Sequence, residues 1–388
     1  MRAKRDGGWR RRFTEPLRVL LLHNRYRLQG GEERTVSDIA WLLRERGHDV
    51  ESIERSSGHA RRTDAARGLW MGGLDPDEIG RAVRRLNADV VHAHNLHPTF
   101  GWRALEAARR AGARTVLHLQ NFRLFCAVAV AYRDRAPCYR CHGTNTLPGL
   151  RLRCRGSLTE SVVYAAGLRR QQPHLVEHAD RLVTVSEASA DRLAEFGLAR
   201  ERLTVLPNFV RSDALAADSF AADGEFALAA GRLVEEKGFD TAIAAARAAG
   251  VPLVIAGAGP DERRLRDLAD STVRFVGVLP ESELAELRPR AAVVLVPSRW
   301  EEPCPYSALD ALADGVPVLA SDRGGLPELA GPDAVVRADD VDAWTAALDA
   351  LWRDPGLRLA RGRAGLQRAR ERFGEDAFLE GLLGVYER

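Results

Sequence analysis

The stretch PSRWEEPCPYSALDALADGVPV, Pro297 to Val318, decides how the chain is read. An apolar strand, Val293 to Val296, enters a tight polar turn. The sequence predicts a helix starting at Pro305 and ending near Asp314-Gly315, then a second apolar strand. Glu302 stands in the turn, and Asp310 eight residues later lies about a turn and a half inside the helix, so both can face one crevice. The N–H groups of Tyr306 and Ser307 fall in the first helical turn, where helices leave donors that suit an anion. Acids able to hold sugar hydroxyls beside a phosphate site point to a nucleotide-sugar pocket.

Outward from this stretch the pattern repeats. Short apolar runs alternate with helical segments at Leu17–His23, Asp49–Glu54, Asp89–His94, Thr115–Gln120, Arg181–Ser186 and Leu203–Leu206. After Pro207-Asn208 it restarts at Phe226–Ala230, Leu253–Ala256, Val273–Val276, Val293–Val296 and Val318–Ala320. Alternation of this kind predicts α/β architecture with parallel sheets covered on both faces. A length of 388 residues favours two domains. The expected division is a basic tail at 1–16, a first Rossmann-like domain at 17–208, a linker at 209–224, a second domain at 225–372 and a terminal amphipathic helix at 373–388. Residues 121–160 break the alternation and form an insertion rich in Arg and Cys.

The net charge of +3 conceals an asymmetry. Residues 1–208 carry about +13 and the remainder about −10. A solvated Arg-rich surface accounts for this, and so does a basic domain that meets an anionic acceptor or an anionic membrane surface. The basic residues are scattered and no nucleic-acid motif accompanies them, so a nucleic-acid partner is not expected. No apolar run reaches the roughly 18 residues of a membrane span. Leu17 to Leu22 is too short for a signal-peptide core. A cytoplasmic protein, at most peripheral at the inner membrane surface, is the expectation.

Four further patterns bear chemistry. Gly231-Arg232-Leu233-Val234-Glu235-Glu236-Lys237-Gly238 follows a strand and precedes a helix. Arg232 can grip phosphate oxygens with paired N–H groups, and Lys237 adds a point charge. Fixed cations of this kind stabilise a leaving diphosphate without a metal. Gly30-Gly31-Glu32-Glu33 opens a helix after the first strand, and its glycines permit a tight turn against a phosphate or sugar. His118 ends a strand and points toward the expected crevice, while His92, His94 and His97 surround an earlier strand end. Cys126, Cys138, Cys141 and Cys154 form C-x11-C-x2-C-x12-C, a spacing compatible with a structural zinc site or with reduced thiols. Gly257-Ala258-Gly259-Pro260 is too short for a nicotinamide fingerprint. The acid pairs Asp75/Asp77 and Asp340/Asp342 precede helices and read as caps, not metal ligands.

Taken together, these residues resemble the retaining family-4 glycosyltransferases of GT-B architecture. The likeness runs from Leu17 to the last helix. It is most specific at Gly231-Arg232-Leu233 with Glu236-Lys237-Gly238, at Pro207-Asn208, at Gly257-Ala258-Gly259-Pro260, and from Pro297 to Gly325-Leu326-Pro327-Glu328. The resemblance implies two doubly wound domains facing across a crevice, with the C-terminal helix crossing back to the first. It implies donor-diphosphate contacts at Arg232 and Lys237, donor-sugar contact at Glu302, ribose contact at Asp310, a pocket histidine at His118 and a glycine turn at Gly30-Gly31. Asp310 is one methylene shorter than the Glu usual in that family, and Pro305 replaces a common Gly. The cysteine insertion resembles a subgroup linked to polysaccharide assembly.

The expected activity is hexose transfer from a nucleotide diphosphate sugar to an acceptor hydroxyl with retention, in polysaccharide, glycoconjugate or glycosylated-metabolite synthesis. The catalytic candidates are His118 and Glu302. The donor-binding candidates are Gly30, Gly31, Arg232, Lys237, Tyr306, Ser307 and Asp310. No catalytic cofactor is expected; a structural zinc is the one metal considered. A nucleotide-sugar epimerase or hydrolase, and a non-catalytic nucleotide-sugar-binding protein, are the alternatives.

Overall fold

The computed structural model describes residues 15–26, 30–56, 58 and 61–387. The basic tail falls outside the described residues as far as residue 14. Two six-stranded parallel sheets organise the chain. The first contains β1 (Arg18–Arg25), β2 (Asp49–Ser56), β3 (Val90–Ala93) and β4 (Arg114–Leu119). A hairpin of β5 (Tyr132–Arg133) and β6 (Ala136–Pro137) lies in the insertion, after which β7 (Arg181–Thr184) and β8 (Leu203–Val205) complete the sheet in the order β2-β1-β3-β4-β7-β8. The second sheet holds β9 (Phe226–Ala230), β10 (Leu253–Ala256), β11 (Val273–Gly277), β12 (Ala291–Val296), β13 (Val318–Ser321) and β14 (Val335–Val336), ordered β11-β10-β9-β12-β13-β14.

The strands form because their sequences are almost unbroken apolar runs. β12 and β13 are buried at every residue, as helix-covered parallel strands require. The two-residue β14 lacks such a run and escapes the sequence reading. In both sheets the chain reverses its direction of winding beside the first strand. The switch falls between β1 and β3 in one sheet and between β9 and β12 in the other. Ligands of doubly wound folds bind outside the carboxyl ends of the strands at that point. β1 runs toward Gly30-Gly31, and β3 leads to His94 and His97. β9 ends beside Gly231-Arg232, and β12 leads into the turn that carries Glu302.

The C-terminal helix, Glu375–Glu387, belongs to the core of the first lobe. Phe378, Leu379, Leu382, Leu383 and Tyr386 share one buried cluster with Leu17, Val19, Leu21 and Ile39. Each such side chain contributes about 1.5–3 kcal/mol of burial. Phe209 stacks on Phe378 at 4.5 Å just where the chain leaves the first lobe. The 3₁₀ turns Ser212–Ala214 and Ala221–Asp223 punctuate the segment read as linker. Asp340 accepts a hydrogen bond from the Ala343 N–H at 3.0 Å, the capping role expected of that acid pair. Among the described residues no helix is long and apolar enough to cross a membrane.

Candidate active site

The second lobe supplies a cationic turn and an acidic turn. Arg232, at the end of β9, is exposed, and no ion pair engages it among the described residues. Lys237 closes the 3₁₀ turn Glu235–Lys237, and its Nζ donates to Glu302 Oε1. Ser298 Oγ donates to the same carboxylate oxygen at 2.7 Å. Glu302 is thus buried and held on both sides. Gly257 explains the Gly-Ala-Gly-Pro stretch: at φ +137°, a Cβ there would sit 1.9 Å from the Gly231 carbonyl oxygen. The glycine lets the end of β10 press against the Gly231-Arg232 turn, and no dinucleotide fingerprint is needed to account for it.

A residue not singled out by sequence reading locks the two turns together. Arg299 is buried and pairs with Asp240 at 2.7 Å and with Asp339. Its Nη1 donates to the Glu235 carbonyl at 3.0 Å, and its backbone N–H donates to the Glu236 carbonyl at 2.8 Å. The turn that carries Lys237 is therefore built onto the turn that carries Glu302.

The helix expected from Pro305 begins one residue later, at Tyr306, and runs to Ala313. Pro305 is its cap, in extended conformation at φ −75° and ψ 131°. Asp310 does not face an open crevice. Arg34 of the first lobe grips it with a parallel fork, Nη1 to Oδ2 at 2.7 Å and Nη2 to Oδ1 at 2.8 Å. The same guanidinium lies 4.1 Å above the Tyr306 ring. Tyr306 Oη lies 3.1 Å from Thr35 Oγ1, and Asn208 donates to the Cys304 carbonyl at 3.0 Å. Gly31 comes so close that a Cβ there would stand 3.2 Å from the Tyr306 ring. The helix Gly31–Glu45 therefore meets the helix Tyr306–Ala313 directly.

On the first lobe, His118 lies at the carboxyl end of β4 and is buried, with its Nε2 unpartnered. It faces a small cleft lined by Tyr26, Glu32, His94, His97, Asn121 and Arg123 among others. Tyr26 and Asn121 both donate to Glu32 Oε2, at 2.8 and 3.0 Å. Burial raises the Glu32 carboxyl above its ordinary range and depresses His118 and His97 to about 3. Both imidazoles are therefore neutral near pH 7.

A chain of hydrogen bonds leads to His118 from the C-terminal helix. Tyr386 Oη lies 2.8 Å from His92 Nδ1, and His92 Nε2 lies 3.2 Å from His118 Nδ1. Neutral imidazole has one donor and one acceptor nitrogen. If the buried tyrosine donates, His92 donates in turn from Nε2, and His118 Nε2 carries the hydrogen that faces the cleft. His92, His94 and His118 also bring ligating atoms within 4.8 Å of one another. Their rings lie 10° to 30° from parallel. Their lone pairs then run side by side instead of converging on a cation.

Other contacts cross between the lobes. Glu328 accepts from the N–H groups of Glu187 and Ala188 at 2.9 and 2.7 Å, capping a helix of the first lobe. Glu301 pairs with Arg192 at 2.8 Å and accepts from Tyr139 Oη at 2.8 Å. Tyr139 belongs to the cysteine insertion. Cys126, Cys138, Cys141 and Cys154 are all unpaired thiols and line one small cavity.

Comparison with known proteins agrees with this geometry. Residues 29–214 match the family described as Glycosyltransferase Family 4, and residues 212–368 match Glycosyl transferases group 1. The D-inositol 3-phosphate glycosyltransferase of Acidothermus cellulolyticus is 30% identical over 391 residues, covering 92% of this chain and 85% of that protein. The glycogen synthase of Mycobacterium tuberculosis is 34% identical over 231 residues, covering 54% of this chain. That match spans 56% of the synthase, so the chain aligns with about half the length of this relative. Among solved structures, sucrose-phosphate synthase from Thermosynechococcus elongatus superposes with a TM-score of 0.70 at 18% identity, covering 95% of this chain and 98% of that one. Anabaena HepE in complex with UDP superposes at 0.66 with 15% identity, covering 95% and 99%. The chain belongs to the family-4 glycosyltransferases, and its fold is GT-B.

Proposed function

We propose that the protein transfers a hexose from a nucleotide diphosphate sugar to an acceptor hydroxyl, with retention of configuration. One observation carries the reading. Gly31 and Arg34 of the first lobe meet Tyr306 and Asp310 of the second, while Arg232, exposed and without an ion pair among the described residues, stands in the same turn as Lys237, which pairs with Glu302. In this reading the diphosphate takes Arg232, Lys237 and the N–H groups of Tyr306 and Ser307. Glu302 holds the donor sugar, and Asp310 receives the ribose once Arg34 releases it. Gly30-Gly31 supplies the close wall on the other side. His118 offers its Nε2–H to a hydroxyl of the reacting sugar.

Charge builds on the departing phosphate as the glycosidic bond breaks, and fixed cations are worth most there because they need no reorganisation. A phosphate oxygen of the leaving group lies on the face from which the acceptor approaches and takes the acceptor proton, which gives retention. The cations already supply the charge, so turnover requires no added divalent ion. The polar cleft of the first lobe suits a polyhydroxylated acceptor, and its Arg123 favours one that carries negative charge. The inositol-phosphate name of one relative and the UDP in HepE agree with such substrates. Polysaccharide, glycoconjugate or glycosylated-metabolite synthesis on the cytoplasmic side is the setting we infer.

Arg232→Ala tests this directly. Loss of one cation that stabilises the transition state lowers turnover by a factor on the order of 10²–10³. The assay follows nucleoside diphosphate release with and without acceptor. A variant within threefold of wild type removes the assignment, and acceptor-independent release of free sugar points to hydrolysis instead.

A further inference from the structure

We propose that Cys126, Cys138, Cys141 and Cys154 hold one zinc-type divalent cation, and that this centre braces the insertion against the donor-binding lobe. The four residues come from separate turns of a segment with little regular structure, yet their side chains line one cavity. None of them forms a disulfide.

Charge supports the same reading. Four thiolates around a divalent cation leave a net −2, and their four protons pass to solvent on binding. Arg133 and Arg140 line the cavity, and Arg133 Nη1 lies 3.9 Å from Cys154 Sγ. The two guanidinium groups balance that charge. The four sulfurs are not gathered as tightly as the ligating atoms of His92, His94 and His118, which lie within 4.8 Å of one another, so ligation requires the side chains to draw together by changing rotamer.

The centre has a consequence at the cleft. Tyr139 lies inside the Cys138-x-x-Cys141 turn and donates to Glu301, the neighbour of Glu302. It also stacks under Arg192, which pairs with Glu301. Arg135, from the same insertion, reaches Asp240 at 3.4 Å, and Asp240 holds Arg299. A metal that fixes the insertion therefore fixes the first lobe's grip on both donor turns.

The test uses the full chain, purified with reductant and without chelator. Elemental analysis is expected to find about one equivalent of zinc per chain, falling below about 0.2 in Cys141→Ser and in Cys154→Ser while Cys304→Ser retains it. Stripping the metal is expected to raise amide hydrogen exchange at residues 126–154 and also at 299–304, and adding zinc reverses both. Wild-type protein holding less than about 0.2 equivalents, and binding none on titration with zinc, overturns the proposal; so does a disulfide among the four. None of these readouts depends on glycosyl transfer, so failure here leaves the donor-site reading intact, and the reverse also holds.

Discussion

Arg34 and Asp310 form the contact on which the donor site turns. The pair is bidentate and half-shielded, with side-chain exposures of 28% and 7%, and a forked guanidinium–carboxylate geometry is the strong form of an ion pair. It also occupies the carboxylate assigned to the ribose. Arg34→Ala is therefore expected to leave nucleotide affinity equal to wild type or higher, because a competitor has gone. Asp310→Asn is expected to weaken nucleotide binding by about 1–2 kcal/mol. Calorimetric titration with UDP, GDP and dTDP reads both, and an unchanged affinity in Asp310→Asn removes the ribose assignment. At this scale the sequence revealed residues whose local pattern declares them: Arg232 and Lys237 in a glycine-bounded turn, His118 at a strand end, Glu302 before a helix. Arg34, Arg123 and Arg299 carried no such sign. Arg34 acts through Asp310, Arg299 through Asp240 and Asp339, and Arg123 over the Tyr26 ring, all at least 40 residues away, and an Arg-rich chain offers many equivalents.

Strands and helices carry the histidine cluster and its relay. β3 and β4 pair in register with His92 opposite Val116 and Leu117 opposite Ala93, which stacks the imidazoles along one face. The C-terminal helix then brings Tyr386 onto His92. Tyr386→Phe removes the hydrogen that sets the His118 tautomer. It is expected to lower kcat roughly tenfold with KM little changed and to cost only about 1 kcal/mol in stability. An unaltered kcat contradicts the relay. Acid stability tests the burial of the same cluster. His97 and His118 titrate at about 3 when folded and near 6.5 when unfolded. Between these values the unfolded chain binds more protons, so the stability present above pH 6.5 falls as pH drops toward 3. Burial also lowers His92 and His94. Asp314, pushed up to about 6 by burial against the pull of Arg288, opposes this between roughly pH 4 and 6, and so do Glu32, Asp38 and Glu281, which burial also raises. Denaturant titrations at pH 5 and pH 7 should show the loss, and His97→Asn should lessen it by up to about 1.4 kcal/mol per pH unit. An unchanged pH dependence in His97→Asn contradicts a buried neutral His97. Strands and helices were legible because apolar runs and caps are local. The relay was not, since it depends on a helix at residue 386 returning to a strand at residue 92.

Across the whole molecule, two lobes have the same winding, and the chain crosses between them twice. Asn208 at the outward crossing bonds the Cys304 carbonyl, and the C-terminal helix at the return seals the first lobe's core. Direct inter-lobe contacts concentrate around the donor turns: Arg34 on Asp310, Thr35 on Tyr306, Tyr139 and Arg192 on Glu301, Glu328 on the helix at Glu187. In the proposed reaction these contacts would serve to exclude water from a donor that would otherwise hydrolyse. Saturating nucleotide at 100 times its dissociation constant is expected to stabilise the protein by about 2.7 kcal/mol. The measurement that bears most directly on the central claim is a crystal structure of the protein soaked with UDP, GDP or dTDP. The account predicts diphosphate density against Arg232, Lys237 and the N–H groups of Tyr306 and Ser307, with Arg34 withdrawn from Asp310. Nucleotide density away from these groups would contradict it.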